Sequence, residues 1–288
     1  MNWDEVIDKT SAFLEGKSVP DARVAAELLA ARLLGVGRGM LAASLGTPVS
    51  EACLEAMRRG MRRLVAGEPI QYVLGEWDFR SLTLACDRRA LIPRPETEEL
   101  VTRVLSWLRA RIKANPSERP LVVDVGTGTG AIALALAKEA PEGDYLGIDI
   151  SEGAVALAKE NSKRTGIHEN VRFIVADGLD EFDEPATFDA IVSNPPYIRR
   201  AVCETLDPRV RDFEPRLALD GGESGLDFYD RYLSDAFNLL KPGGAVFFEI
   251  GEDQGEAVRK LMFEYGFQDI RIERDFAGHD RYASAVLP

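Results

Sequence analysis

The chain has 288 residues, 45% of them hydrophobic, and a formal net charge of −13. This length corresponds to about two domains of typical size, and the apolar content is enough for a large core, which excludes a disordered chain. The acidic charge argues against stable binding to nucleic acid through a general phosphate-binding surface. Three widely spaced cysteines, an acidic amino terminus and the lack of a long apolar run favour a cytoplasmic protein, with no membrane association, disulfide or metal site.

Residues 1–75 form the first predicted domain, a small helical bundle. Apolar residues recur there at helical spacing in three segments, which glycine and proline residues separate. Basic and acidic residues balance in this part of the chain, so the remainder carries the whole negative charge. That change of charge and the nearby Gly75 indicate a domain boundary. The bundle serves either as a scaffold or as a docking site for a partner, and the residues alone leave both roles open.

Residues 76–92 form a predicted linker, a β-hairpin that joins the two domains. Apolar and polar residues alternate there as in short strands, which are predicted at residues 77–79, 82–84 and 91–92. A turn is predicted at residues 87–89. Two prolines in Pro93-Arg94-Pro95 then stiffen the chain before a helix predicted from about residue 98 to residue 112.

From residue 93 to residue 288 the pattern is that of an α/β domain. Short apolar strands alternate with helices, which indicates a parallel sheet covered on both faces. The parallel strands are predicted at residues 121–125, 145–149, 171–175, 190–193 and 245–250. Further helices are predicted at residues 131–139, 153–164, 228–240 and 254–265. Two final strands, at residues 270–274 and 282–286, have no helix between them and should form an antiparallel hairpin.

A glycine-rich turn follows the first strand of this domain, in the segment Asp124-Val125-Gly126-Thr127-Gly128-Thr129-Gly130. Glycines let the main chain turn sharply and approach a ligand closely, at the sheet edge where open α/β folds bind ligands. Asp149 ends the second strand, where its carboxylate can accept hydrogen bonds from both hydroxyls of a ribose. Because Ala131 satisfies the degenerate form of the dinucleotide fingerprint, a nicotinamide dinucleotide is an alternative ligand on this motif alone.

The segment Asn194-Pro195-Pro196-Tyr197 ends the fourth strand at the same predicted edge. Its prolines donate no main-chain hydrogen bond and hold the chain extended, so carbonyl groups stay free. Asn194 adds a side-chain amide, and Tyr197 adds an aromatic ring with a polar tip. Such a segment suits a planar group that carries an NH2, although a rigid loop at a strand end is the alternative for the tetrapeptide alone.

Together these motifs resemble an S-adenosylmethionine-dependent methyltransferase that acts on an amino group in a planar π system. Two target classes share the tetrapeptide, namely the exocyclic amines of adenine or cytosine and the side-chain amide of glutamine. Over essentially its whole length the chain is similar to the release factor glutamine methyltransferases, the HemK/PrmC family. The segments that carry this likeness are residues 91–98, 124–137, 194–198, 214–219, 249–251 and 254–255. The most specific is Pro93-Arg94-Pro95-Glu96-Thr97, where the related methyltransferase of a ribosomal-protein glutamine differs.

The resemblance implies a fold, a cofactor and a partner. The fold is a Rossmann-like class I methyltransferase, with a seven-stranded, mostly parallel sheet, an antiparallel C-terminal hairpin and a helical N-terminal domain that docks release factors. The cofactor is S-adenosyl-L-methionine, which becomes S-adenosyl-L-homocysteine. The partner is a class 1 peptide chain release factor, and the target is the glutamine of its Gly-Gly-Gln motif. We expect the chain to act as a monomer.

The resemblance also assigns the site residues by position. The catalytic residues are Asn194, Pro195, Pro196 and Tyr197. The cofactor-binding residues are Gly126, Thr127, Gly128, Thr129, Gly130, Asp149, Asp177, Gly178 and Asn194. The substrate-binding residues are Asn194, Pro195, Pro196, Tyr197, Arg94, Glu96 and Thr97. At one position the chain departs from the family pattern, because many relatives have an aromatic residue where this chain has Gly178.

The expected chemistry is a clamp on the glutamine amide. The side-chain carbonyl of Asn194 and the main-chain carbonyl of Pro195 accept its two hydrogens, and Tyr197 packs against its plane. The glycine-rich loop over residues 214–225 forms a wall or lid. Three alternatives stay open: an amino-methyltransferase of adenine in DNA or RNA, a glutamine methyltransferase of a ribosomal protein, and a binding module that has lost turnover.

Overall fold

The computed structural model describes all 288 residues. The helices are α1 (Trp3–Glu15), α2 (Ala22–Leu34), α3 (Glu51–Val65), α4 (Ile70–Leu74), α5 (Pro95–Ala114), α6 (Ala131–Glu139), α7 (Glu152–Thr165), α8 (Arg200–Cys203), α9 (Pro208–Arg211), α10 (Asp227–Leu239) and α11 (Gly255–Glu264). The strands are β1 (Glu76–Phe79), β2 (Leu82–Ala85), β3 (Leu121–Val125), β4 (Asp144–Asp149), β5 (Val171–Val175), β6 (Phe188–Ser193), β7 (Leu240–Glu249), β8 (Gln268–Arg274) and β9 (Asp280–Val286). Short 3-10 helices lie at Arg38–Ser44 and Arg216–Ala218. None of the helices combines the length and the apolar character that a membrane crossing requires.

The contacts divide the chain into two units, of which the first comprises Met1–Glu76 and Asp207–Phe213. Its helices α1, α2 and α3 pack around an apolar core, in which Ile7, Ala26 and Met57 are almost inaccessible to solvent. The sequence encodes the start of α3 locally, since the Ser50 hydroxyl caps it by accepting a hydrogen bond from the Cys53 amide (3.2 Å). The predicted helical character of this part of the chain is confirmed.

The second unit, Trp77–Leu206 with Glu214–Pro288, contains a seven-stranded sheet in the order β5-β4-β3-β6-β7-β9-β8. The pairs from β5 to β7 are parallel, whereas β9 pairs antiparallel with both β7 and β8. The predicted mostly parallel sheet with an antiparallel C-terminal hairpin is therefore confirmed. The direction of strand succession reverses between β3 and β6, and such a switch point is where open α/β sheets bind ligands.

Each face of the sheet buries its own apolar cluster, because successive side chains of a strand point to opposite faces. On β3, Val122 belongs to one cluster and Val123 to the other, and on β6 the same holds for Ala190 and Ile191. Helices α5, α6 and α7 cover the first face, and α10 and α11 cover the second. A strand buried on both faces needs the continuous apolar runs that the sequence shows.

Two local predictions were wrong next to Pro93. Residues 91–92 form no strand, since the Ile92 amide donates to the buried Glu214 side chain (3.2 Å) and the proline that follows has no N–H. Helix α5 begins at Pro95 instead of residue 98, because a proline is favourable in the first turn of a helix, where its missing N–H costs nothing. This earlier start brings Thr97 into the helix.

A buried side chain, Asn161 of α7, ties the glycine-rich turn to the β1–β2 hairpin. Its Oδ1 accepts from the Ala85 amide (2.6 Å), and its Nδ2 donates to the carbonyls of Ala85 (3.1 Å) and Thr129 (2.9 Å). The side chain is completely buried. Unpaired polar groups in such a place cost free energy, so this amide is a structural support of the turn.

We expect Asn161→Ala to lower the free energy of unfolding by about 2–4 kcal/mol, because it leaves a buried main-chain carbonyl of Thr129 and two partly buried main-chain groups of Ala85 without this partner. Urea denaturation measures the change. The matched control is Asn238→Ala, which removes an exposed asparagine from α10 and should change stability by less than about 0.5 kcal/mol. Equal effects of the two substitutions would show that Asn161 does not support the fold.

Candidate active site

A cavity of about 290 Å³ lies at the carboxyl edge of the sheet, where β3 and β6 run side by side. Most residues assigned to the site from sequence line it together: Arg94, Thr97, Gly126, Thr127, Gly128, Thr129, Asp149, Asp177, Gly178, Asn194 and Pro196. Gly130, Pro195, Tyr197 and Glu96 are not among the lining residues. Glu96 is exposed, and its main-chain carbonyl accepts a hydrogen bond from the Tyr282 hydroxyl (3.0 Å).

A buried carboxyl group, that of Asp124, holds the glycine-rich turn in place by hydrogen bonds. Its Oδ2 accepts from the Thr127 hydroxyl (2.6 Å) and from the Ala133 amide (3.2 Å), so it links the turn to the start of α6. Complete burial raises the pKa of Asp124 to about 7, although the two hydrogen bonds partly offset this by lowering the pKa. The shape of the turn thus depends on a group beneath it that does not line the cavity.

Gly130 contributes space for packing instead of a wall of the cavity. Its φ of +81° lies in the left-handed region, and a Cβ there would be 3.1 Å from the Ala158 Cβ and from the Phe173 ring. A side chain would therefore push α6 away from α7 and β5. The cofactor role that the sequence assigned to Gly130 stays a prediction.

Asp149 connects the end of β4 to the glycine-rich turn. Its Oδ2 accepts from the Gly128 amide (2.9 Å) and its Oδ1 from the Ser151 amide (2.9 Å). Burial raises the pKa of Asp149, while these two hydrogen bonds lower it. Each carboxylate oxygen keeps a further lone pair, so the group can still accept hydrogen bonds from a diol in the cavity.

Helix α10 supplies the wall beside Gly178, which has no side chain of its own. A Cβ at Gly178 would lie 3.2 Å from the guanidinium carbon of Arg231. Arg231 donates to the Asp177 carboxylate (2.8 Å), the Asp177 carbonyl (2.5 Å) and the Asp180 carboxylate (2.8 Å). Phe228 and Arg231 both line the cavity. The sequence predicts this helix at residues 228–240, but none of its residues was assigned to the site, although the aromatic residues 228 and 232, one helical turn apart, are a recognisable signal.

Asn194 is linked by hydrogen bonds to two buried residues, one in helix α5 and the other at the end of strand β7. Its Nδ2 donates to the Thr97 hydroxyl (3.1 Å), which itself donates to Glu249 Oε2 (2.6 Å). The Tyr197 hydroxyl donates to Glu249 Oε1 (3.4 Å), so the ring of Tyr197 is turned toward Glu249. Glu249 was not among the predicted site residues.

The loop over residues 214–225 is anchored at both ends. At its start, Glu214 accepts from Arg94 (2.5 Å) and from the Ile92 amide (3.2 Å), and its side chain is almost completely buried. At its end, Gln254 Nε2 donates to the carbonyls of Gly225 and Tyr197, at 3.0 Å each. Residues of this loop line the cavity, so it forms part of the wall, as the sequence predicted.

The residues that line the cavity fit S-adenosylmethionine by their chemistry. The glycine-rich turn lets the main chain approach a ligand closely, and Asp149 offers acceptors for a ribose. Apolar side chains such as Ile132 and Ile150 also line the cavity. The sheet order and this edge site are those of an S-adenosylmethionine-dependent methyltransferase.

Comparison with known proteins agrees with this class and narrows it. Residues 118–269 match the family described as Methyltransferase domain, and residues 5–75 match the one described as PrmC N-terminal domain. The chain is 40% identical to the release factor glutamine methyltransferase of Geobacter sulfurreducens, over 96% of this chain and 94% of that protein. The release factor glutamine methyltransferase of Chlorobaculum tepidum is 36% identical, over 98% of this chain and 96% of that protein.

A solved structure supports the fold. The crystal structure of a methyltransferase from Pyrococcus furiosus superposes with a TM-score of 0.52, at 18% identity, and covers 79% of this chain and 97% of that chain. Together with the curated relatives, these matches show that the chain belongs to the release factor glutamine methyltransferase family. It is an S-adenosylmethionine-dependent methyltransferase.

We expect Arg231→Ala to weaken S-adenosylmethionine binding about 10-fold, because it removes the side chain that forms the wall beside Gly178 and that holds Asp177 by two hydrogen bonds. Arg231→Lys should lie between the wild type and Arg231→Ala, since lysine keeps the charge but not the planar fork. Isothermal titration calorimetry measures the dissociation constant. Arg172→Ala on β5 is the control, because that side chain is exposed and does not line the cavity. Equal dissociation constants for Arg231→Ala and Arg172→Ala would contradict the assignment.

Proposed function

We propose that this enzyme methylates the side-chain amide nitrogen of the glutamine in the Gly-Gly-Gln motif of class 1 peptide chain release factors. The observation that carries the proposal is the orientation of Asn194 at the cavity. Its Nδ2 is occupied by Thr97, and its Oδ1 has no donor from the protein, so an acceptor is left for a ligand. The names of the curated relatives support release factors as the substrate.

The chemistry requires a clamp because an amide nitrogen is a poor nucleophile, its lone pair being delocalised into the carbonyl. When bound, S-adenosylmethionine supplies an electrophilic methyl group. The protein has to hold the NH2 group in line with that methyl and exclude water, so positioning and desolvation dominate. In the proposed arrangement, Asn194 Oδ1 and the Pro195 carbonyl accept the two amide hydrogens, and the Tyr197 ring packs beside the amide.

The same clamp provides selectivity for an NH2 group. A side chain without amide hydrogens would leave both acceptors unpaired in a partly buried site, at a cost of roughly 1–3 kcal/mol each. The clamp alone also fits the exocyclic amine of adenine. The acidic net charge of −13 disfavours a nucleic acid substrate, so we rank this alternative second.

The direct test is mass spectrometry of a class 1 release factor after incubation with the enzyme and S-adenosylmethionine. We expect the mass of one methyl group on the glutamine of the Gly-Gly-Gln motif. DNA, RNA and ribosomal proteins are offered in parallel with labelled cofactor. Label that enters only one of these would refute the proposal and identify the alternative.

We expect Asn194→Ala to lower the rate of methyl transfer by about 100-fold or more, because the substrate amide loses an oriented acceptor. The dissociation constant of S-adenosylmethionine should change by less than about threefold, a free-energy difference of under about 1 kcal/mol. Single-turnover kinetics and calorimetry measure the two quantities. A large loss of cofactor affinity would mean that Asn194 acts mainly on the cofactor.

The proposal includes a role for the N-terminal helical bundle in docking the release factor. We expect deletion of residues 1–75 to lower kcat/KM for a whole release factor about 10-fold more than for a short Gly-Gly-Gln peptide, because only the whole factor can use a remote contact. The peptide is the internal control, since a chain that fails to fold loses activity on both substrates. Equal losses would leave the bundle with no part in docking.

A further inference from the structure

The chain of hydrogen bonds behind Asn194 joins three separate parts of the second unit. Asn194 follows β6, Glu249 ends the neighbouring strand β7, and Thr97 lies in the first turn of α5. Thr97 stands between the other two, with its Oγ1 at 3.1 Å from Asn194 Nδ2 and 2.6 Å from Glu249 Oε2. Thr97 and Glu249 are both buried, so water does not compete for the hydrogen bond between them.

The direction of these bonds follows from how many protons each group has. The Nδ2 group of Asn194 can only donate, so the Thr97 oxygen accepts there. Thr97 then has one proton left, which it donates to Glu249 Oε2. With its amide fixed in this way, Asn194 presents Oδ1 as the free acceptor.

The reverse orientation of the Asn194 amide requires a different protonation state. If Oδ1 faced Thr97, the hydroxyl would have to donate to it and could no longer donate to Glu249. Glu249 would then have to be the donor, which is possible only when its carboxyl group carries a proton. In that state Asn194 presents its NH2 to the cavity, and two NH2 groups do not pair.

We infer that Thr97 and Glu249 are positioning residues that set the orientation of the Asn194 amide, and that the enzyme is active when Glu249 is ionised. The inference rests on the proposed function, because it takes Asn194 Oδ1 as the acceptor for a substrate amide. Neither residue needs to touch the reacting atoms.

The surroundings of Glu249 set the pH at which this orientation changes. Complete burial raises its pKa to about 7, while the hydrogen bond from Thr97 and the positive charge of Arg281 lower it. Glu96 on α5 raises this pKa, and the Tyr197 hydroxyl lowers it. An ionised Glu249 allows only the productive orientation of Asn194, whereas a protonated Glu249 also allows the reverse one. Activity should therefore be highest above this pKa and should fall as the pH drops through it.

The first experiment removes the Thr97 hydroxyl and then restores it. We expect Thr97→Val to lower kcat on a class 1 release factor about 10-fold, the value of one hydrogen bond that favours the correct orientation. Thr97→Ser brings the hydroxyl back and should recover most of that loss. Both variants should bind S-adenosylmethionine with a dissociation constant within about threefold of the wild type, measured by calorimetry without the protein substrate. Equal kcat values for the valine and serine variants would overturn the inference.

The second experiment follows kcat against pH with both substrates saturating. The wild type should lose up to about 10-fold in kcat between about pH 8 and about pH 6, as expected for one group that titrates near 7. Glu249→Gln cannot titrate, yet its carbonyl can still accept from Thr97, so its profile should be flat in this interval. Asp124 also titrates near pH 7, and a slope that came from it would persist in Glu249→Gln. Such persistence would refute the role of Glu249.

The outcomes separate this inference from the proposed function. A wild-type enzyme that transfers no methyl group to any release factor contradicts the function itself. If the wild-type enzyme methylates the factor and the valine and serine variants have equal kcat values, the proposed function is supported. The positioning role of Thr97 is then refuted.

Discussion

The parallel pairing of β6 between β3 and β7 is the constraint on which the active site depends. Ser193, the last residue of β6, pairs with Val125 on one side and with Phe248 on the other. The residues that follow these strands therefore emerge side by side. The glycine-rich turn, Asn194 and Glu249 come together for this reason, although they are far apart in sequence. The two prolines after Asn194 prevent the strand from continuing and keep the main chain open at that edge.

Three polar side chains around the site are buried and paired, which makes this part of the site rigid. Glu214, Glu249 and Gln254 are almost inaccessible to solvent, and each takes part in two or more hydrogen bonds. Burying such groups costs free energy that their hydrogen bonds offset, and a fully bonded network has few alternative arrangements. A reaction on a weak nucleophile gains most from correct placement, so rigidity of this kind serves the proposed chemistry directly.

The parts of the site that could be predicted from sequence are those encoded in short segments. The glycine-rich turn, Asp149 and Asn194 each stand at a strand end, and the apolar strand pattern is enough to bring those ends to one edge. The contacts that could not be predicted join residues far apart in the chain. Thr97 and Glu249 are 152 residues apart. Arg94 and Glu214 are 120 residues apart. No local pattern encodes such a pairing, because it arises only when α5 and the loop pack against the sheet.

The two errors near Pro93 have different origins, since the helix start follows from the local preference of Pro95 and the missing strand from a tertiary contact. The apolar residues 91 and 92 continue a pattern that is typical of strands. The main-chain amide of Ile92, however, donates its hydrogen bond to the Glu214 side chain and not to a neighbouring strand. Tertiary contacts decided the local structure there, as they often do for short segments. Tertiary contacts compete less with long, strongly patterned segments, and α6 and β3 have the bounds that the sequence predicted.

The wall beside Gly178 has a consequence for the solution behaviour of the enzyme. Where an aromatic residue would form that wall by apolar contact, this chain uses an arginine held by two carboxylates that are each more than half exposed. Attraction between partly exposed charges is screened by dissolved ions, with a range of about 10 Å at 0.1 M salt. This side of the cavity should therefore loosen as the ionic strength rises, so the order of its wall depends on the salt concentration.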